Sequence, residues 1–258
     1  MDEPISYIWT LAGTTTQVVR LPEEIYLRIH VNGNELLKIA ATPIQQEALV
    51  VGFLAHAGLI ESPEEINVLH LNPESQCVDV WLNHEIDAVP QEHLLTSGCG
   101  GGIALGDLYQ PTAPLEVSLH IPPEMLLSMV GTLQKQSVLH QQYRGTHASA
   151  LFRPDGELLA IAEDIGRHNT IDKLLGHCLL QKIDSTDTVL LTTGRVSSEM
   201  ISKAARLHTP VVASLKGFST IAVQMAETWN ITAVGYVRGK RVEVYTHPER
   251  VLTSLPTL

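Results

Sequence analysis

One thiol in this sequence lies among residues that give it nothing to pack against. Cys99 belongs to the segment 96–102, Thr-Ser-Gly-Cys-Gly-Gly-Gly. Ordering so many glycines costs conformational entropy, and burial of neighbouring side chains does not offset that cost. Such a loop can turn several backbone N–H groups toward the sulfur, which favours the thiolate and makes the cysteine a better nucleophile. The pattern predicts a reactive thiol; the alternative is a flexible tether with an incidental cysteine.

The other two cysteines are predicted to be structural. Cys178 shares the apolar face of a predicted helix with Ile171, Leu174 and Leu175, which is the environment of a small buried hydrophobic residue. Cys77 begins a predicted strand of alternating character. Three cysteines without metal-like spacing fit a reducing cytosol better than a disulfide framework. Because the sequence contains neither His-Glu-x-x-His nor Cys-x-x-Cys, we predict no metal ligands.

Basic residues recur where three predicted strands end. Arg195 follows one strand, Lys216 follows the next, and the run 238–241, Arg-Gly-Lys-Arg, follows a third. The carboxyl ends of parallel strands share one edge of a sheet, where ligands bind in open α/β folds. Each segment also contains a glycine, which would let a ligand approach the backbone. The arrangement predicts a site for a pyrophosphate or a similar anion; the alternative is that these residues simply occupy exposed loops.

Composition limits the partners of this chain. Its 17 basic and 28 acidic residues give a formal net charge of −11, which disfavours a broad nucleic-acid-binding surface. No apolar stretch reaches the length of about 18 residues that a membrane helix needs. The acidic start, Met-Asp-Glu-Pro, does not resemble a signal peptide. We therefore expect a cytoplasmic protein that binds neither nucleic acid nor membrane.

His168 has two interpretations. It lies in the motif 163–169, Glu-Asp-Ile-Gly-Arg-His-Asn, just before a predicted helix. It could act as a base toward Cys99. Alternatively, Asp164 or Asn169 caps that helix while Arg167 and His168 hold the loop together, and we favour this structural role.

Local patterns predict two domains, with a boundary in the proline-bearing segment after the Cys99 loop. Residues 1–115 are predicted to form a smaller mixed α+β domain, and residues 116–258 a three-layer α/β/α domain with a partly parallel sheet. The first domain contains two predicted hairpins, 25–31 with 36–40 and 67–71 with 77–82. Between them a helix is predicted to begin with Thr42 as its cap and to end near Gly58. The predicted helices of the second domain are 125–135, 170–181, 197–207 and 220–228, and its predicted strands are 148–152, 157–162, 189–193, 211–215, 231–237 and 242–245.

Several of these motifs together resemble the formate dehydrogenase accessory sulfurtransferase family (FdhD). The resemblance extends from about Val31 to Val251. The motifs that carry it are Val31-Asn32-Gly33, Thr96-Ser97-Gly98-Cys99-Gly100, Gly145-Thr146-His147-Ala148, the segment 163–169 with Asp172-Lys173, Gly194-Arg195, and Tyr245-Thr246-His247-Pro248-Glu249-Arg250.

This resemblance implies a fold and a function. The larger domain would have a cytidine-deaminase-like fold without the deaminase metal site, so neither deaminase nor hydrolase activity is expected. Such proteins take sulfur from a cysteine desulfurase as a persulfide and pass it to the bis(molybdopterin guanine dinucleotide) cofactor of formate dehydrogenase. Cys99 would carry the persulfide, and related proteins suggest a homodimer. From the strand-end argument, Arg195 and Lys216 are expected to assist in holding the cofactor. The cofactor-binding segment falls on Tyr236, Val237, Arg238, Gly239, Lys240 and Arg241.

One position departs from the family pattern. The loop commonly has Cys-x-x-Cys, whereas here the second cysteine is replaced by Gly102. A relay between two cysteines of the loop is therefore impossible. Either Cys99 alone carries the sulfur, or the protein is a non-catalytic chaperone that binds the molybdenum cofactor.

Overall fold

A computed structural model describes residues 4–86, 93–95, 103–105, 111, 113–143 and 145–252. Its strands are β1 (Ile5–Thr10), β2 (Gly13–Val18), β3 (Ile25–Val31), β4 (Asn34–Ala41), β5 (Ile66–Asn72), β6 (Cys77–Leu82), β7 (His93–Leu95), β8 (Ile103–Leu105), β9 (His147–Phe152), β10 (Leu158–Asp164), β11 (Val189–Thr192), β12 (Val211–Ser214), β13 (Thr232–Arg238) and β14 (Arg241–Val244). Its helices are α1 (Gln46–His56), α2 (Pro123–Gln136), α3 (Val138–Gln142), α4 (Arg167–Gln181), α5 (Ser198–Arg206) and α6 (Thr220–Thr228).

The larger sheet has six strands in the order β10-β9-β11-β12-β13-β14. The pairs β11–β12 and β12–β13 are parallel, and the other pairs are antiparallel. Leu190 faces an apolar core that includes residues of α4 and α5, while Leu191 faces a second core that includes residues of α2. The predicted three layers and partly parallel sheet are therefore confirmed. The likeness to cytidine deaminases stays a prediction.

The smaller sheet has four strands in the order β4-β3-β6-β5. Its two hairpins were predicted, and they are joined by a parallel pairing of β3 with β6. Asn32 and Gly33 adopt positive φ angles of 49° and 83° in the first turn, as an Asn-Gly turn requires. Leu27 and Ile29 are fully buried on the inner face, whereas Tyr26 is exposed on the outer face. This alternation leaves one face of the sheet open to solvent.

Helix α1 lies between the smaller sheet and the other half of the chain. All its residues from Ala48 to Ala55 are buried, because the helix has apolar neighbours on every side. It crosses α4 at two glycines: a Cβ atom on Gly52 would lie 1.8 Å from the carbonyl oxygen of Asp172, and one on Gly176 would lie 1.9 Å from that of Ala48. One apolar core runs from the smaller sheet through this crossing to the larger sheet. A boundary between residues 115 and 116 stays a prediction.

Tertiary contacts change the predicted beginnings of two helices. Thr42 does not cap α1, which begins at Gln46 after Gln45 in the left-handed conformation. The side chain of Thr42 instead donates a hydrogen bond to Asp164, far away in the sequence. Helix α4 begins at Arg167, earlier than predicted, with Gly166 as its cap residue. Within the described ranges, no helix has both the length and the apolar character needed to cross a membrane.

Candidate functional site

Three adjacent strands bring the predicted basic residues to one edge of the larger sheet. β11 leads to Arg195, β12 leads to Lys216, and β13 ends at Arg238. These strands are parallel neighbours, and the three residues are exposed. The predicted placement of the cations at a shared edge is confirmed. Their binding of a cofactor stays a prediction.

Glycines at this edge make room for side chains of the protein itself. A Cβ atom on Gly194 would lie 3.1 Å from Cβ of Arg167 and 3.5 Å from Nδ1 of His147. A Cβ atom on Gly217 would lie 2.8 Å from the hydroxyl oxygen of Tyr236. A Cβ atom at either glycine would therefore meet a protein side chain, and the approach of a ligand to these backbones stays a prediction.

A bulge near the end of β13 determines how its last side chains point. The register with β14 shifts between Gly235 and Arg238, and Tyr236 adopts a positive φ of 49°. Such bulges re-aim side chains, and a non-glycine residue in this conformation is strained. The guanidinium carbon of Arg238 lies 5.5 Å from the centroid of the Tyr236 ring, within the range of a cation–π contact. The bulge thus orders the first basic side chain of the predicted cofactor-binding segment.

The remaining residues of that segment differ in what they can offer a ligand. Val237 is fully buried, so only its backbone could contact a cofactor. Gly239 and Lys240 form the exposed tip of the β13–β14 hairpin, where Gly239 has a φ of 64°. Arg241 pairs with Glu243, which reduces its positive field. Arg238 and Lys240 therefore supply more of the positive charge of this hairpin than Arg241 does.

Glu243 also binds the exposed phenol of Tyr245. The hydroxyl group of Tyr245 donates a hydrogen bond to the Glu243 carboxylate at 3.0 Å. Partial burial and then this carboxylate raise the pKa of Tyr245 to about 12. Tyr245 therefore stays a neutral hydrogen-bond donor at physiological pH and does not add negative charge to the edge.

His168 connects the beginnings of two helices at the same edge. Its Nε2 atom lies 3.3 Å from the hydroxyl oxygen of Ser197, the cap residue of α5, and 3.4 Å from a carboxylate oxygen of Glu199. Burial lowers the pKa of His168 to about 4, although Glu199 opposes that effect. The imidazole is neutral at pH 7 and well placed to hold α4 against α5. These contacts agree with the structural role favoured by the sequence.

Below the edge, Asp164 forms a buried ion pair and joins the two halves of the chain through hydrogen bonds from Thr42. The Nζ atom of Lys173 lies 2.6 Å from Oδ2 of Asp164, and neither side chain is exposed. The backbone N–H and the hydroxyl group of Thr42 donate to the same carboxylate oxygen, at 3.1 and 3.0 Å. The other oxygen accepts the N–H of Gly166 at 2.8 Å. Asp164 therefore fixes the loop before α4 rather than capping the helix, and Asn169, which lies within the helix, does not cap it either.

A second buried ion pair ties α1, α4 and α5 together. Asp172 contacts Nζ of Lys203 at 2.6 Å and also binds the ring of His56. Burial alone would raise the pKa of Asp172, but Lys203 and His56 outweigh it and lower that pKa to about 2. Burial would lower the pKa of Lys203, but Asp172 and Glu199 raise it. The pair is therefore fully ionised in a buried environment. Removing either partner would leave an unpaired buried charge and lower the stability of the fold.

The sequence did not predict the residues outside the motif 163–169 that take part in these two buried clusters. His56 and Lys203 lie within helices, and Thr42 was interpreted as a helix cap. The available signal was the position of Lys203 one turn after Glu199 on α5, a spacing that brings the side chains together. That spacing is also common on solvent-exposed helices, so it did not indicate burial.

The structure describes two of the three cysteines, Cys77 and Cys178. Cys178 is buried on the apolar face of α4, and burial raises the pKa of its thiol to about 12. Cys77 is also buried, and burial followed by the charge of Asp79 raises its pKa. The burial of both thiols agrees with the structural roles predicted for them. Cys99 lies outside the described residues, in the connection between β7 and β8, two short strands that pair antiparallel.

These features define a mixed α/β protein with a basic strand-end edge that is supported by buried ion pairs. Residues 22–252 match the model of the FdhD/NarQ family. The chain therefore belongs to that family, as the sequence motifs predicted.

Relatives of known name cover most of the chain. The sulfur carrier protein FdhD of Bacillus subtilis is 37% identical over 239 residues, which are 90% of each chain. The sulfur carrier protein FdhD of Staphylococcus haemolyticus is 35% identical and covers 88% of each chain. A crystal structure from Desulfotalea psychrophila, solved as a proposed formate dehydrogenase accessory protein, matches with a TM-score of 0.77 and 26% identity over 96% of this chain and 98% of that one.

Proposed function

We propose that this protein is a sulfur carrier for the maturation of formate dehydrogenase and that Cys99 carries the sulfur. The observation that carries the proposal is the similarity, over about nine-tenths of the chain, to proteins named sulfur carrier protein FdhD. The choice of Cys99 is supported by elimination. Cys77 and Cys178 are buried thiols with raised pKa values, and a protonated, buried thiol is a poor nucleophile.

The proposed chemistry is thiol exchange. The Cys99 thiolate attacks the outer sulfur of a persulfide on a cysteine desulfurase, the sulfur–sulfur bond of the donor breaks, and the donor cysteine leaves as a thiolate. The product is a persulfide on Cys99. When its outer sulfur is passed on, Cys99 is in turn the leaving thiolate, and a thiol reductant supplies the two electrons that convert this sulfur to sulfide.

The proposed acceptor is bis(molybdopterin guanine dinucleotide), which is a substrate of this protein rather than its resident cofactor. The exposed cations Arg195, Lys216, Arg238 and Lys240 suit its phosphate groups, with Arg241 weakened by Glu243. Tyr236 and the backbone of Val237 complete the proposed cofactor-binding segment. A cysteine desulfurase, formate dehydrogenase and a second copy of this chain are its proposed partners.

Mass spectrometry of the intact protein tests the role of Cys99 directly. After incubation with a cysteine desulfurase and cysteine, the protein should gain the mass of one sulfur atom, and peptide mapping should place it on Cys99. Cys99→Ala should lose this adduct and fail to mature formate dehydrogenase. Cys178→Ala is the matched control and should keep the adduct. An unmodified Cys99 beside a loaded desulfurase would overturn the proposal in favour of the non-catalytic cofactor chaperone.

A further inference from the structure

Three potential metal ligands converge on the solvent-facing side of the smaller sheet. Cys77 and Asp79 are two residues apart on β6, so both side chains leave the same face of the sheet. His30 lies opposite Asp79 on the adjacent strand β3. The Nδ1 atom of His30 is 3.0 Å from Oδ1 of Asp79 and 3.3 Å from Sγ of Cys77, and Sγ is 3.8 Å from that Oδ1.

These separations match the edges of a tetrahedral zinc site. Zinc binds sulfur at about 2.3 Å and nitrogen or oxygen at about 2.0–2.2 Å, so tetrahedral ligand atoms lie roughly 3.3–3.6 Å apart. Each of the three distances is within about 0.4 Å of that range. A modest adjustment of side-chain torsions would therefore place all three atoms around one ion. The combination of thiolate, imidazole and carboxylate also suits zinc better than magnesium or calcium.

The geometry does not suit a catalytic Cys–His–Asp relay. In such a relay the thiol and the carboxylate bind different ring nitrogens. Here Cys77 and Asp79 both approach Nδ1 of His30, which has either one hydrogen or one lone pair. The ring nitrogen that faces Cys77 is thus the same one that faces Asp79, whereas a central cation would bind all three ligand atoms.

The surroundings of the three residues favour an accessible ion. The other ring nitrogen of His30 lies 3.7 Å from a carboxylate oxygen of Glu35, which is longer than a hydrogen bond but close enough for the negative charge to favour a cation nearby. The side chains of His30 and Asp79 are 27% and 43% exposed, so an ion can enter and water can occupy a fourth position. His70 pairs with Asp79 across β5 and β6, so its side chain leaves the same face of the sheet.

We propose that His30, Cys77 and Asp79 form a Zn²⁺ site whose ligands do not include Cys99, the proposed sulfur carrier. Binding of the ion would release the thiol proton of Cys77 and link β3 to β6 through side chains. The prediction of no metal ligands relied on short contiguous motifs. Here the ligands come from two strands. His30 and Cys77, the ligands of different strands that are closest in sequence, are 47 residues apart, so only the fold brings them together.

The test uses the full-length, metal-free protein with Zn²⁺ and with Co²⁺ as a spectroscopic probe. We expect one Zn²⁺ per chain in competition with a chromophoric chelator, a higher Tm with zinc, and a thiolate-to-cobalt charge-transfer band. Cys77→Ser should abolish that band. His30→Gln and Asp79→Asn should each raise the Kd for zinc by more than the roughly 10–100-fold that loss of an outer partner costs.

Two controls keep this test independent of sulfur transfer. Cys99→Ser, which removes the proposed sulfur carrier, should retain zinc binding and the cobalt band. His84→Gln alters an exposed histidine of the same half of the chain and should also retain both. The proposal is overturned if zinc binds below stoichiometric amounts, if Cys77→Ser leaves the cobalt band unchanged, or if only Cys99→Ser removes it. Circular dichroism of each variant checks that the sheet is still folded.

Discussion

At the level of a single residue, His168 should make the stability of this protein depend on pH. Its pKa in the folded chain is about 4, whereas an unfolded histidine has a pKa near 6.5. Between these values the unfolded chain binds more protons, so the free energy of unfolding falls as the pH falls from 6.5 to 4. The full difference corresponds to about 3 kcal/mol at most.

Substitution by glutamine isolates this contribution. His168→Gln should lower the free energy of unfolding at pH 7, because the contact with Ser197 is weakened, and should make it decrease less between pH 7 and pH 4.5. Urea denaturation at pH 7, 5.5 and 4.5 measures both effects. His120→Gln, at an exposed position, should keep the pH dependence of the parent. Equal slopes for His168→Gln and the parent would show that His168 is not buried in its neutral form.

The same residue illustrates what the sequence could and could not predict. The motif around His168 identified a loop that matters, but its partners Ser197 and Glu199 come from another helix. Lys173 and Lys203 are charged residues that local patterns assign to the surface. They are buried because Asp164 and Asp172 satisfy their charges, and such pairing depends on contacts between distant parts of the chain.

At the level of elements, the crossing of α1 and α4 should tolerate no side chain at its two glycines. Gly52→Ala would place a Cβ atom 1.8 Å from a backbone oxygen of α4. No rotamer change can relieve a clash with backbone, so the helices would have to separate. We expect a loss of about 3 kcal/mol or more, at or above the upper end for overpacked cores. Gly176→Ala should behave in the same way.

A third glycine provides the control for that prediction. Gly131 lies within α2, and a Cβ atom there would have no neighbour within 4 Å. Gly131→Ala should therefore be neutral or stabilise the protein by up to about 1 kcal/mol, because alanine favours the helix. Urea denaturation of the three variants measures the difference. If Gly52→Ala is as stable as Gly131→Ala, the helices α1 and α4 do not cross as closely as the structure shows.

Elements with strong local signals were predicted closely, and those set by tertiary contacts were not. The Asn-Gly turn identified the β3–β4 hairpin, and Pro122 and Pro123, the cap and the first residue of α2, marked where that helix begins. In contrast, Thr42 has every feature of a helix cap but binds Asp164 instead. The hairpin of β1 and β2 was not predicted because its residues are exposed on both sides, so no alternation of burial marks it.

At the level of the whole molecule, the net charge of −11 opposes the approach of any anion. Binding of a phosphate group must therefore rely on the local cations of the strand-end edge, which act over about one Debye length. Arg238 and Lys240 are exposed there, and Arg238 lies next to the Tyr236 ring. Guanosine diphosphate is a suitable probe, because it carries the base and the phosphate groups of the proposed acceptor.

Isothermal titration calorimetry with this probe should reveal binding that weakens as salt rises. Arg238→Gln and Lys240→Gln should each weaken the binding by several-fold and reduce its salt dependence, because each removes one cation from the same edge. Arg153→Gln is the matched control: Arg153 is exposed too, but it follows β9 at the opposite edge of the sheet. If it weakens binding as much as Arg238→Gln does, the anion responds to total charge, and the strand-end edge is not its site.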